Sequence, residues 1–373
     1  MILLFASLLL LVCALLLFLD LRRPILWKIS LAATEFGQYF VLLPILVMVL
    51  AGAETPLALI TSIIAAAASA VLLYPSFAAV VLSRSLSRRL ADAFGRTSHH
   101  AASFSLRRLW FGPFPPASEP ESIVYAEHGG KSLHLLFHRA HSSAPAPCVV
   151  IIHTGGWDSG SPAEFPMMSR HLASIGYAVA CIEYRFAPRH PWPAQREDAA
   201  AAIAFLKAHA AQFGIDASRF VLFGRSAGGQ IAEATACTAS DPAIRGCIAF
   251  YAPADLVFAY EHLSPEPDIL DSRTLLHNYL GGPLDRLPEQ YRDASAYHHI
   301  TPQSPPMLLI HGAKDPLTWY RQSERLAARL TKQGVRNLYI ELPWGTHAFD
   351  YNFNGPGGRL SRYAVEYFLA SVL

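Results

Sequence analysis

From Met1 to Leu82 the chain carries almost no charge outside one short loop, whereas every later stretch mixes charges, prolines and histidines with its apolar residues. That division limits what the chain can fold into. The opening run MILLFASLLLLVCALLLFL is uncharged over 19 residues. At about 1.5 Å per helical residue it approaches the ~30 Å of a bilayer core. A cleaved signal peptide is the competing reading, but it needs a basic leading region and a small-x-small cleavage site. The run has neither and ends in DLRRP.

Two more apolar runs follow. Gly37 to Ala53 is short, and Leu57 to Leu82 is longer, with Pro75 as a point where it can kink. Only Glu54, Thr55 and Pro56 separate them, which suits a helical hairpin. The expectation is three spans (1–19, 37–53 and 57–82), or two if the weaker middle run only lies at the interface. Arg22, Arg23 and Lys28 follow the first run, and Arg84, Arg88, Arg89 and Arg96 follow the third. Basic flanks stay on the cytoplasmic side, so a multi-pass anchor with the large domain in the cytoplasm is expected. Ser83 to Gly95 reads as a basic helix, either at the headgroups or in solvent. Pro113, Pro115, Pro116 and Pro120 mark a stiff linker. The division expected is an anchor over 1–82, a linker over 83–119 and a single large domain over 120–373.

The 373 residues suffice for one large domain with an added element, or for two modest domains. A net charge of +2 gives no reason to expect a nucleic-acid partner. Cys13, Cys148, Cys181, Cys237 and Cys247 form no C-x-x-C pair and read as small apolar core residues. The pairs His99-His100 and His298-His299 lack the neighbours of a metal site. With no dinucleotide or phosphate glycine loop either, no cofactor and no metal are expected.

After residue 120, β-rich runs alternate with helical patterns. Ile123–Glu127 and Leu133–His138 form an opening hairpin around Gly129-Gly130. Strands follow at Cys148–His153, Ala178–Tyr184, Phe220–Phe223, Cys247–Tyr251, Met307–His311 and Leu338–Leu342. Helices are expected at Ala163–Ser174, Ala194–Phe213, Ser226–Thr238, Trp319–Gln333 and Leu360–Leu373. The alternation predicts an α/β fold with a mostly parallel sheet between helices. In such sheets ligands gather at the carboxyl ends of strands.

The residues with chemistry to offer fall at those ends. FGRSAGGQ, Phe223 to Gln230, sets Ser226 between Gly224 and Gly228 at a strand-to-helix junction. This is the G-x-S-x-G pattern of a strained turn that exposes a nucleophile at a helix amino terminus. A serine hydroxyl needs a base. Asp315, after the strand ending MLLIHG, and His347, after LYIELPWGT, supply acid and base in the order Ser, Asp, His. Asp350 is the rival acid, but it is too close in sequence to His347 to orient it. HTGGW, His153–Trp157, follows a strand, and its glycines permit close backbone approach. The N–H groups of Gly155, Gly156 and Ala227 are the expected oxyanion donors.

Together these motifs resemble the α/β-hydrolases of the hormone-sensitive-lipase and feruloyl- and acetyl-esterase-like group, from about residue 120 onward. HTGGWDSG is similar to the group's oxyanion loop and YRFAPRHPWPAQREDAAAAIAFL to its tyrosine-arginine segment with the following helix. GRSAGG is similar to its nucleophile turn. The resemblance implies an eight-stranded α/β-hydrolase fold and serine ester hydrolysis. Thr154 departs from the glycine usual there, Arg225 from an acidic residue, and Ala348 from a glycine. Arg225 is expected to pair with an internal carboxylate rather than meet an anionic substrate. The NFNGPGG loop, Asn352–Gly358, has no role assigned from sequence. Asp255–Ile300 is long enough for a partial cap, with Leu256, Phe258, Tyr260, Leu263 and Leu270 as candidates for an apolar acyl pocket. The sequence thus reads as a membrane-anchored esterase acting on a hydrophobic or lipid-like ester. An acyltransferase using the same triad and a catalytically silent binding protein remain open.

Overall fold

The computed structural model describes residues 1–19, 23–95, 112, 114–116, 118–142, 144–263 and 268–373. Arg22, Arg96, His99, His100 and Pro113 lie outside the described residues. Eight strands form one sheet: β1 (Glu121–His128), β2 (Lys131–His138), β3 (Ala146–Ile152), β4 (Ala178–Ile182), β5 (Ile215–Arg225), β6 (Ile244–Phe250), β7 (Met307–Gly312) and β8 (Asn337–Leu342). Their order is β1-β2-β4-β3-β5-β6-β7-β8. The β1–β2 and β2–β4 pairs are antiparallel, and all pairs from β4 to β8 are parallel. The central strands β3, β4 and β7 are continuous apolar runs because helices cover both faces. The edge strand β1 alternates exposed and partly buried positions.

The described helices are α1 (Ile2–Leu15), α2 (Pro24–Phe40), α3 (Leu42–Ala51), α4 (Pro56–Phe94), α5 (Pro166–Ser174), α6 (Ala194–Ala208) and α7 (Ala210–Phe213), then α8 (Ala227–Thr238), α9 (Leu256–Glu261), α10 (Ser272–Leu280), α11 (Pro288–Asp293), α12 (Ala296–His299), α13 (Arg321–Lys332) and α14 (Pro356–Val372). The small side chains of α8 let it lie buried against β5 and β6; its first ten residues are all covered. The α13 helix instead buries Leu326 and Leu330 and turns its charges outward.

The amino-terminal region departs from the expected three spans. Among the described residues, one helix is long and apolar enough to cross a membrane, or two if a bent pair counts as one span. The first run gives a helix ending at Leu15 with a short 3-10 turn to Phe18, too short to count as a span. The middle run does not form one helix. It is divided at Val41 between α2 and α3, whose axes bend by 57°. Pro44 accounts for the break, since its ring collides with the carbonyl four residues back, at Phe40. The segment after the first run, read as a loop, is helix α2 with Pro24 in its first turn. The third run continues through Pro75 and past Leu82 to Phe94. Thr55 caps its start by accepting from the Ala58 N–H at 3.1 Å. The late turns of α4, expected as a separate basic helix, pack on the sheet. Ala79, Leu86, Leu90 and Phe94 join the core on the same side as Val149, Phe223 and Phe368.

Candidate active site

Ser226 sits between β5 and α8 with φ 52° and ψ −122°, a backbone conformation that a side chain adopts only under strain. Its N–H donates to the Phe250 carbonyl at 2.9 Å, fixing the turn to β6. The flanking glycines are required by contact. A Cβ on Gly224 would strike the Gly228 carbonyl, and one on Gly228 would strike the carbonyls of Ile152 and His153.

His347, in the turn after β8, donates from Nδ1 to Asp315 Oδ2 at 2.7 Å. A carboxylate only accepts, so Nδ1 carries the proton and Nε2 is left to act as a base. Asp315 has no exposed side-chain surface. Its Oδ1 accepts from the N–H groups of Leu317 and Thr318 at 2.8 and 2.9 Å. His311 Nε2 lies 3.2 Å from Oδ2. His311 is itself held at the Thr318 carbonyl, 2.9 Å away, and accepts at Nδ1 from Ser323 at 2.8 Å. Burial alone would raise the Asp315 carboxyl. The His347 charge and the hydrogen bonds from His311 and His347 overcome it and hold the group well below the usual carboxylate range.

Ser226, His347, Gly155 and Gly156 line one cavity of about 830 Å³. A second of about 420 Å³ shares Ser226, Gly156, Leu270 and Leu275 with it, and Ala227 lines this second lobe. The structure therefore brings all six expected site residues to one place, with Asp315 behind His347. Among the described residues, no hydrogen bond uses the N–H groups of Gly155, Gly156 or Ala227. Gly155 and Gly156 have φ of 116° and 61°. Thr154, the departure beside them, lines the larger lobe. His153 is no second base. It stacks on Tyr184 at 4.2 Å, lies 2.6 Å from the Thr154 carbonyl at Nδ1, and is pushed by burial down to about 4.

Asp350 does not compete for His347. Its Oδ2 accepts from Arg225 Nε at 2.6 Å and its Oδ1 from the Tyr251 hydroxyl at 2.7 Å. Arg225 thus has the internal carboxylate expected of it. Burial works against its charge, and Asp350 beside it more than offsets that. The guanidinium also lies over the rings of Phe223 and Phe165 at 4.5 and 4.7 Å. Tyr251 connects this pair to the base, its ring centre 4.5 Å from that of His347.

Three residues had escaped sequence reasoning. His311 braces the acid. Gln230, the last residue of FGRSAGGQ, accepts from Trp157 Nε1 at 2.9 Å and from the Tyr279 hydroxyl at 2.7 Å, tying the oxyanion loop and the cap helix α10 to α8. A glutamine in the first turns of a helix made mostly of small residues was its only signal. Trp27, on α2, also lines the larger lobe. The cap expected over Asp255–Ile300 contains α9 to α12, and Leu256, Phe258, Leu263 and Leu270 line the smaller lobe. Tyr260 lines neither lobe. Its hydroxyl lies 3.1 Å from His277 Nε2, and its ring packs on Tyr291. Among the described residues no group of three His, Cys, Asp or Glu side chains is placed to hold a metal. His298 and His299 lie beside Asp255 and Asp293.

Residues 135–330, more than half of the chain, match the BD-FAE family. The chain belongs to the BD-FAE family. Ser226 and Asp315 fall inside the matched stretch and His347 beyond it. Two relatives come from Mycobacterium tuberculosis. LipM, named a probable carboxylic ester hydrolase, is 31% identical over 67% of this chain and 60% of its own length. Esterase LipC is 29% identical over 67% of this chain and 64% of its own length. The chain thus spans about three fifths of the length of these curated relatives. The solved structure of esterase 2 from Thermogutta terrifontis is 26% identical, with a TM-score of 0.53 over 68% of this chain and 91% of that one.

Proposed function

We propose that this chain is a membrane-associated serine hydrolase of carboxylic esters, acting through Ser226, His347 and Asp315 and an acyl-enzyme. The observation that carries the reading is the strained Ser226 turn opening into the same cavity as a His347 whose Nδ1 is held by the buried Asp315.

Ser226 Oγ attacks the acyl carbon while His347 Nε2 takes its proton. Asp315 stabilises the imidazolium that results. The oxyanion forms toward the N–H groups of Gly155, Gly156 and Ala227, each donor of this type being worth about 10²–10³ in rate. Collapse expels the alkoxide, protonated by His347. Water, deprotonated by His347, then releases the acid and restores Ser226. The two lobes meeting at Ser226 give the acyl and alcohol portions separate space, and their largely apolar walls favour a hydrophobic ester.

Membrane association is supported by the apolar side chains that α1, α3 and the first two thirds of α4 leave exposed, among them Phe5, Leu46, Val49, Ile63 and Phe77. The basic flank at Arg84 and Arg88 would keep the catalytic region, residues 120–373, on the cytoplasmic side. A reporter fused after Leu373 is expected to be cytoplasmic, and external accessibility would reverse that assignment.

Hydrolysis of a p-nitrophenyl ester series tests the activity. Turnover by the wild type and none by Ser226→Ala is the expected result. Acyl transfer to an added alcohol in preference to water would make the chain an acyltransferase. A folded wild type with neither activity would favour a silent binder.

A further inference from the structure

We infer that helix α2 is part of the substrate site: Trp27 walls the larger lobe and sets its preference for an extended apolar acyl chain, while Glu35 fastens α2 to the loop that follows the base. This rests on the esterase reading above.

Trp27, Leu31 and Glu35 recur every fourth residue, so they lie along one side of α2. The Trp27 indole lines the same lobe as Ser226 and stands edge-on to the His347 imidazole, with ring centres 6.4 Å apart at 64°. Its N–H is buried with no hydrogen-bond partner among the described residues. Such an omission is unexpected of a side chain that only packs. Met167, Met168, Phe165 and Phe353 continue the apolar wall.

Two turns further on, Glu35 is completely buried. Its Oε2 accepts from the Gly357 N–H at 3.1 Å and its carbonyl from Asn352 Nδ2 at 2.7 Å. Gly357 lies in the first turn of α14, so Glu35 fills one of the backbone N–H groups that a helix start leaves unpaired. A Cβ on Gly355 would collide with the carboxylate and carbonyl of Glu35, and one on Gly357 with the Phe349 carbonyl. The glycines of NFNGPGG are therefore where α2 comes close to the catalytic region. Phe36 packs edge-on to Tyr351, with ring centres 6.5 Å apart, and extends the contact. On the far side, a Cβ on Gly37 would meet the Leu72 carbonyl of α4. α2 is thus wedged between the apolar helices and the turn that carries His347. An ester with a long acyl chain fits this position, because its tail would run along Trp27 toward helices whose outer faces are apolar.

The test uses the full chain in detergent micelles, with p-nitrophenyl esters from acetate to palmitate. Rates are normalised to the sites titrated by a fluorophosphonate. Trp27→Ala should lower kcat/KM for octanoate relative to acetate by about tenfold, within the range that apolar pocket contacts discriminate. The loss should fall mainly in KM, and Trp27→Phe should restore most of it. An unchanged chain-length profile in Trp27→Ala overturns the inference. A second readout needs no turnover. A diazirine-bearing palmitic acid, photolysed on the wild type, should attach to residues 23–40, and attachment confined to the cap would also overturn it. If the wild type neither labels nor hydrolyses, the esterase reading falls, and the photolysis result alone decides whether Trp27 lines an acyl site.

Discussion

Asp315 and Asp350 are buried carboxylates on either side of the His347 turn, and they are equipped differently. Asp315 meets two imidazoles and two backbone N–H groups. Asp350 meets a guanidinium and a phenol. An imidazole can gain and lose a proton near neutral pH, whereas a guanidinium stays charged. The first arrangement can therefore move a proton and the second can only hold a position. Both depend on removing a carboxylate from water, which is costly unless every lone pair is used. On the proposed mechanism, the partner decides which acid serves the reaction and which serves the fold.

The predictions separate the two acids, beginning with the largest effect. Ser226→Ala removes the reaction and leaves both carboxylates in place. Its kcat should fall on the order of 10⁶-fold, the scale for losing such a nucleophile, with thermal unfolding unchanged. Asp315→Asn should cost about 10⁴ in kcat by favouring the wrong His347 tautomer, again measured in steady-state kinetics. Arg225→Met should behave in the opposite way. It strands a buried charge on Asp350, so about 3–5 kcal/mol of stability should be lost in urea unfolding. The double variant Arg225→Met/Asp350→Leu should recover much of that loss. If Asp350 oriented the base instead, the double variant would be stable but as inactive as Asp315→Asn.

A third buried acid gives the smallest effect. Glu233, on α8, has no hydrogen-bond partner among the described residues, and burial pushes its carboxyl up to about 8 from an ordinary value of 4.5. Between those values the folded chain holds a proton that the unfolded chain has released. Stability should therefore fall as pH rises through this window, with the full cost present above it. Glu233→Met should raise the melting temperature at pH 8.5 by several degrees and change it little at pH 5, as measured by calorimetry.

The proposed reacting groups were legible because each belongs to a local pattern. Gly224, Ser226 and Gly228 announce a strand-to-helix turn, and Asp315 and His347 each follow a run that reads as a strand. Their supports were not legible. Gln230 acts across the fold, on Trp157 and Tyr279, and His311 reaches Asp315 four residues on only because the turn after β7 folds back over it. Arg225 could be read as needing a carboxylate, but choosing Asp350 requires the β5 and β8 turns to be seen together. The amino-terminal helices were misjudged for a different reason. Hydropathy registers apolar runs, while helix ends depend on breakers. Pro44 divides an apolar run, whereas SRSLSRRLADAF continues a helix because no breaker occurs before Gly95. Trp27 and Glu35 lay in the segment taken as a loop after the first run, too polar to count as a span.

The measurement that bears most directly on the central claim is the site of fluorophosphonate attachment, mapped by mass spectrometry on the full chain. We predict one adduct, on the peptide containing Ser226, formed more slowly in Asp315→Asn and absent in Ser226→Ala. A folded chain that stays unmodified, or an adduct that persists in Ser226→Ala, would contradict the assignment of Ser226 as the nucleophile.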